Sequence, residues 1–269
     1  HPEYGHAKGI ETTTGPLGQG IGNAVGMALA EEILRKQFGE KIVNHFTYVI
    51  ASDGDLMEGI SHEVASFAGH LKLNKLIVFF DDNGISIDGP VKLANSENTS
   101  ERFKAYGWNT TKINGHKPKE IIQSIKKAQR SKKPTLILCK TKIGFGSPNK
   151  QGKSSVHGSP LGENEVKLTR IKLDWPHKPF TVPKNILDEW KSLSKKSIDE
   201  YKTWKLNYEK LPKNKKAQYI RRIDGKLPLK LNQNFNRFKK KYIKKPLDVA
   251  TRQASEMVIN AISSTLPEL

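Results

Sequence analysis

Residues 47–54 read Thr-Tyr-Val-Ile-Ala-Ser-Asp-Gly and residues 76–84 read Leu-Ile-Val-Phe-Phe-Asp-Asp-Asn-Gly, and the architecture of the chain follows from this pair. Each begins with a short apolar run of strand length and ends in oxygen-bearing side chains and a glycine. Asp53 and Asn83 therefore fall at the carboxyl ends of two strands, the edge at which open α/β sheets bind ligands. They are 30 residues apart, enough for one crossover helix. A hard divalent cation that keeps phosphate oxygens as ligands needs only one or two carboxylate or amide oxygens and a carbonyl from the protein. Asp53, Asn83 and the backbone of Ile85 supply such a set, so the pairing reads as a magnesium–diphosphate site.

Working outward, the periodicity alternates between helix and strand. The pattern predicts a helix from about residue 20 to 38 and a strand over 47–51. It then predicts a helix over 58–71, a strand over 76–80, helices over 100–106 and 118–130, and a strand over 135–139. That alternation implies a doubly wound parallel α/β sheet flanked by helices. Gly22 and Gly26, four apart in the first helix, are expected to let a neighbouring element pack closely. The stretch from Trp175 to Pro183 carries three prolines and reads as an extended connector, followed by a charged helical region over 186–208. The division expected from these features is 1–190 for an α/β domain, 191–249 for a basic helical linker, and 250–269 for the start of a further domain.

The formal net charge is +19. Residues 1–150 hold 20 basic and 15 acidic side chains and residues 151–269 hold 26 and 12, so the excess lies in the second part. No zinc-ligand spacing, aromatic strand signature or recognition-helix pattern accompanies it, which favours a solvated lysine-rich face over nucleic-acid binding. No apolar stretch approaches the roughly eighteen residues of a membrane span, and no charged-then-apolar leader is present. Length and composition fit a cytoplasmic enzyme. The single cysteine, Cys139, lies in an apolar run and excludes an intrachain disulfide; a buried structural thiol is expected.

The motifs around both segments are long. Ser52-Asp53-Gly54-Asp55-Leu56-Met57-Glu58-Gly59-Ile60-Ser61-His62-Glu63 and Asp81-Asp82-Asn83-Gly84-Ile85-Ser86-Ile87-Asp88-Gly89 are joined, in order, by four further runs. These are His1-Pro2-Glu3, the glycine-rich run from Thr12 to Gly20, Ile143-Gly144-Phe145-Gly146-Ser147, and His157-Gly158-Ser159-Pro160-Leu161-Gly162. In these segments the chain resembles the transketolases, enzymes that use thiamine diphosphate. The resemblance is strong over 1–190 and weaker beyond, where Ala250 to Ser255 is similar to the start of the family's second, pyrimidine-binding domain. It departs at Ser52, where the family has the first glycine of Gly-Asp-Gly. A positive φ at that turn would strain a serine.

The resemblance implies the thiamine-diphosphate-binding fold and a set of site residues. Asp53, Asn83 and the Ile85 carbonyl would hold Mg2+, with Ca2+ as an alternative. Gly15, Leu17, Gly54, Asn83, Ile85, Ile143 and His157 would contact the cofactor, and His1 and His157 would line the substrate channel, where imidazole can move protons near neutral pH. The other histidines take no such role. Taken alone, Asp53 is more commonly a helix cap, and Glu58, which matches a family glutamate at the subunit interface, is nearly as much at home as an exposed first-turn carboxylate. The glycine turn before the first helix offers unpaired N–H groups to an anion.

The implied activity is transfer of a two-carbon glycolaldehyde unit from a ketose phosphate to an aldose phosphate in the pentose phosphate pathway, by a homodimer. The family's activating glutamate and most of its phosphate-gripping arginines belong to the second domain, so the 269 residues are expected to be inactive alone. Two alternatives stay open: another thiamine enzyme, such as dihydroxyacetone synthase or 1-deoxyxylulose-5-phosphate synthase, and a non-catalytic scaffold that binds polyanions.

Overall fold

The computed structural model describes residues 2–266 and 268–269. The described residues form two compact units that divide after Ile198. The first opens with α1 (Gln19–Phe38), β1 (Thr47–Ala51), α2 (Asp53–Met57), α3 (Gly59–His70) and β2 (Leu76–Asp82). A small antiparallel pair follows, β3 (Ile85–Ser86) with β4 (Gly89–Pro90). Then come α4 (Thr99–Ala105), β5 (Asn109–Asn114), α5 (Pro118–Ala128), β6 (Thr135–Lys140) and α6 (Glu163–Lys172). The boundary at residue 198 falls inside α7 (Lys184–Glu209). The second unit contains α8 (Lys213–Ile223), α9 (Leu231–Lys244) and α10 (Thr251–Ile262), none of which has a fully buried side chain.

The main sheet has the order β1-β2-β6-β5 and is parallel throughout. Alternation along the strands assigns side chains to its two faces. Leu76, Val78, Phe80, Leu136 and Leu138 pack with Ile21, Ala24, Val25 and Ala28 of α1, Ala65 and Ala68 of α3, and Phe103 of α4. On the opposite face Ile77, Ile137 and Cys139 pack with Ala128 of α5. Helices on both faces make the sheet doubly wound. Cys139 is buried, and burial, followed by the nearby Asp81 carboxylate, pushes its thiol up to about 11.

Three features differ from the expectation. Strand β5 has the sequence Asn-Thr-Thr-Lys-Ile-Asn, with no apolar run, and is held in place by its ladder to β6 from Asn109↔Thr135 to Asn114↔Lys140. Helix α2 occupies what sequence reads as a bare glycine turn. The close packing expected at Gly22 and Gly26 occurs elsewhere. A β-carbon at Gly22 would sit an ordinary 3.8 Å from Ile60 Cγ1, and at Gly26 it would meet nothing. The tightest approach is at Gly69 of α3, where a β-carbon would come within 1.8 Å of the Tyr106 carbonyl oxygen. Trp108 anchors that same junction, its indole Nε1–H donating to Ala65 O at 2.7 Å.

Candidate metal and diphosphate site

Asp53 is the first residue of α2, and the cap before it is Ser52 rather than Asp53. Ser52 is extended, at φ −99° and ψ 175°, so the feared strain is absent. Its hydroxyl accepts from Asp55 N–H at 3.4 Å, while the Asp55 carboxylate accepts from Ser52 N–H at 2.8 Å and from its hydroxyl at 2.7 Å. This reciprocal capping box satisfies the helix start without Asp53. The other Asp55 oxygen, Oδ1, accepts from the backbone N–H of Gly18 at 3.1 Å.

Gly18 caps α1 in the left-handed region at φ 78°, and a β-carbon there would lie 2.8 Å from Ile60 Cγ2 and 2.9 Å from Glu58 Cβ. Its neighbour Leu17 reaches the same place: a β-carbon on Gly54 would sit 3.2 Å from Leu17 Cδ1. The structure thus brings together two of the residues implied for the cofactor, Leu17 and Gly54. Gly15 is exposed at the head of that turn, and Glu58 is exposed at the N-cap of α3.

At the end of β2, Asn83 is locked by its own neighbours. Its side-chain oxygen accepts from Ile85 N–H at 2.9 Å and its side-chain nitrogen donates to Asp81 Oδ2 at 3.0 Å. Gly84, at φ 71°, turns the chain there toward β3. Asp81 also accepts from the Thr141 hydroxyl, and Asp82 pairs with Lys140 at 3.2 Å. Among the described residues Asp53 forms no ion pair. Burial first, then Asp82, pushes its carboxyl up to about 6 despite Lys140, with Asp81 adding to the rise. Asp53 and Asp82 line one cavity of about 370 Å³, with Phe80, Gly84, Lys112 and residues 95–99 around it.

This is an oxygen-donor site with a surplus of negative charge, which suits a hard divalent cation. Among the described residues no group of three or more His, Cys, Asp or Glu side chains is placed to hold a metal alone. A cation beside Asp53 would therefore need oxygens from a bound ligand as well. A second cavity of about 620 Å³ lies at the carboxyl ends of β5 and β6, lined by Asn83, Lys112, His116, Lys140 and Lys142 among others.

Other assigned residues lie farther along the chain. Ile143 is half-buried, its carbonyl accepting from Gly152 N–H at 2.8 Å. His157 is exposed, its backbone N–H bonded to Ser154 O at 2.8 Å. His1 lies outside the described residues. Sequence reading passed over Asp55, Asp82, Lys140 and Thr141. Only Asp55 and Asp82 carried a signal, as further acids in the two quoted motifs.

Residues 1–228 match the family described as transketolase, thiamine diphosphate binding domain. The chain belongs to the transketolase family. Transketolase 2 of Escherichia coli (strain K12) is 48% identical over 276 residues, covering 100% of this chain and 41% of that protein. A transketolase of Sinorhizobium medicae (strain WSM419) is 46% identical over 265 residues, covering 98% and 38%. Among solved structures, transketolase from Campylobacter jejuni superposes with a TM-score of 0.80 at 36% identity, over 96% of this chain and 39% of that one. Transketolase from Pichia stipitis in complex with sedoheptulose-7-phosphate gives 0.87 at 36%, over 100% and 40%. The chain thus spans about two fifths of its transketolase relatives.

Proposed function

We propose that the chain is the magnesium- and diphosphate-binding part of a transketolase, an enzyme that transfers a two-carbon glycolaldehyde unit from a ketose phosphate to an aldose phosphate in the pentose phosphate pathway. The observation that carries this reading is Asp53: a half-buried carboxylate raised to about 6 by burial and two further acids. Such a group is stabilised most by a cation. Asp53, the Asn83 amide oxygen and the Ile85 carbonyl would hold Mg2+, with Ca2+ a weaker alternative because it favours more protein oxygens.

Bound thiamine diphosphate supplies the carbanion chemistry that breaks and forms the carbon–carbon bond. The protein's own part is placement and proton handling. Gly15, Leu17 and Gly54 present backbone and an apolar side chain to the cofactor, and Ile143 adds a second apolar contact. His157, with an exposed ring, and His1 hold or move protons on the sugar phosphate. The cofactor domain is assigned to 1–190, a basic linker to 191–249, and the start of the pyrimidine-binding domain to 250–269.

The working enzyme is a cytoplasmic homodimer, and the 269 residues alone carry no transfer activity. The exposed face of β1 supports a missing partner: Ile50, three residues before Asp53, is 81% exposed and Tyr48 is 47% exposed, a costly display for a surface that stays wet. Among the described residues no helix is long and apolar enough to cross a membrane. Calorimetric titration with thiamine diphosphate, with magnesium and then with a chelator, tests the reading. Magnesium-dependent heat supports it, whereas a folded chain that binds in neither condition would move the scaffold alternative ahead.

A further inference from the structure

The side chain of Arg102, on α4, is 11% exposed and joins three elements. Its Nη2 donates to the carbonyl of Leu56, in the last turn of α2, at 3.0 Å, and contacts Glu97 Oε1 at 2.6 Å. Its Nη1 lies 3.0 and 3.1 Å from the two ring nitrogens of His62 on α3, whose Nδ1 is also 3.0 Å from the Tyr106 hydroxyl. Leu56 is three residues beyond Asp53 in a five-residue helix, and Glu97 belongs to the loop that walls the Asp53–Asp82 cavity. A planar guanidinium is suited to this, because its fixed fork of donors can satisfy two acceptors in set directions. Lysine, a single point of charge, has no second nitrogen to reach His62 while the first holds Leu56 and Glu97.

Besides the core packing of Leu56, two hydrogen bonds tie Asp55 of α2 to neighbouring elements. Gly18 N–H bonds Asp55 at the front, and the Ser61 hydroxyl donates to the Asp55 carbonyl at the back. Neither touches the cavity wall. Arg102 links the Asp53 helix to the 95–99 segment of that wall through Leu56 O and Glu97. We infer that Arg102 is a positioning residue for the metal–diphosphate site: through Leu56 O and Glu97 it fixes the distance between Asp53 and the 95–99 loop. This rests on the reading of Asp53 as a metal ligand.

The test compares wild type, Arg102→Met, Arg102→Lys and Glu97→Gln by magnesium-dependent calorimetric titration with thiamine diphosphate, alongside thermal unfolding and hydrogen exchange. Loss of an outer-shell support costs about 10–100-fold in metal affinity. Arg102→Met is expected to lose about tenfold or more in magnesium-dependent affinity, with Arg102→Lys regaining part of it. Glu97→Gln, which keeps the Leu56 bond, is expected to lose affinity with an unchanged melting temperature. Amides of 53–57 and 94–99 are expected to exchange faster together in Arg102→Met. Affinity equal to wild type in both Arg102→Met and Glu97→Gln, or a melting loss with affinity unchanged well below the transition, overturns the inference alone. Absence of magnesium-dependent binding in the folded wild type would overturn the functional reading and this inference with it.

Discussion

The backbone N–H of Gly18 donates to Asp55 Oδ1 at 3.1 Å, so the glycine turn that opens α1 and the helix that carries Asp53 are one hydrogen-bonded assembly. Asp55 can do this because its other oxygen is already committed to Ser52. The cap and the turn thus depend on a single carboxylate.

Ser52 stabilises α2 as a cap and is not a strained substitute for glycine. Ser52→Ala is expected to lower stability by about 1 kcal/mol, the usual cost of a lost N-cap, and Ser52→Gly by only a few tenths. Chemical denaturation of the three proteins checks this. A Ser52→Gly protein more stable than the parent would mean that the serine is strained after all.

Asp53 makes the unloaded protein sensitive to pH in a defined direction. Its folded pKa of about 6 lies above the ordinary 3.8, so the folded state binds the proton more tightly and stability falls as pH rises from about 4 to 6. Asp53→Asn removes this. With the shift discounted for the group's partial exposure, the variant should be stabler near neutrality by on the order of 1 kcal/mol. Magnesium affinity of the parent should weaken as pH drops below about 6, because proton and metal compete for one carboxylate. Thermal melts across pH 4–8, with and without magnesium, report both effects; a parallel loss of stability in parent and variant would count against them.

Glu165 behaves in the opposite sense. The Ser147 hydroxyl first, then the Asn149 side chain and backbone N–H, hold its carboxyl down at about 2. Its contribution is therefore complete above about 4.5 and lost as pH falls toward 2. Glu165→Gln should lessen the dependence of stability on pH in acid and lower the melting temperature at neutrality, since an amide cannot accept all three bonds. Acid titrations followed by circular dichroism distinguish the two proteins.

Gly69 has no room for a methyl group. With Tyr106 O only 1.8 Å from the position of a β-carbon, Gly69→Ala must push α3 off the α4–β5 turn and should destabilise by about 3 kcal/mol or more, in the range of severe overpacking. Gly26→Ala, at an open helical position, should gain a few tenths to about 1 kcal/mol from helix propensity. A Gly69→Ala protein as stable as the parent would show that this junction is looser than described.

What was legible in the sequence followed hydrophobicity. β1, β2 and β6 are apolar runs, and each was placed at its observed start. β5 was missed because it sits at the sheet edge with polar residues, and only its ladder to β6 makes it a strand. The site was half legible. Asp53 and Asn83 stand at strand ends and are visible as a pattern, and the motif around them was long. Lys140 and Thr141 were not visible, since they reach Asp82 and Asp81 across about sixty positions of chain. Arg102 reaches Leu56 across 46. Contacts at such separations leave no local periodicity to read.

The most direct measurement is anomalous diffraction from crystals grown with Mn2+ and thiamine diphosphate. The account predicts one strong peak about 2.1 Å from an Asp53 carboxylate oxygen and the Asn83 amide oxygen, with diphosphate density beside Gly54 and the Gly15–Leu17 turn. A peak held by other residues, or cofactor density with no metal at Asp53, would contradict it.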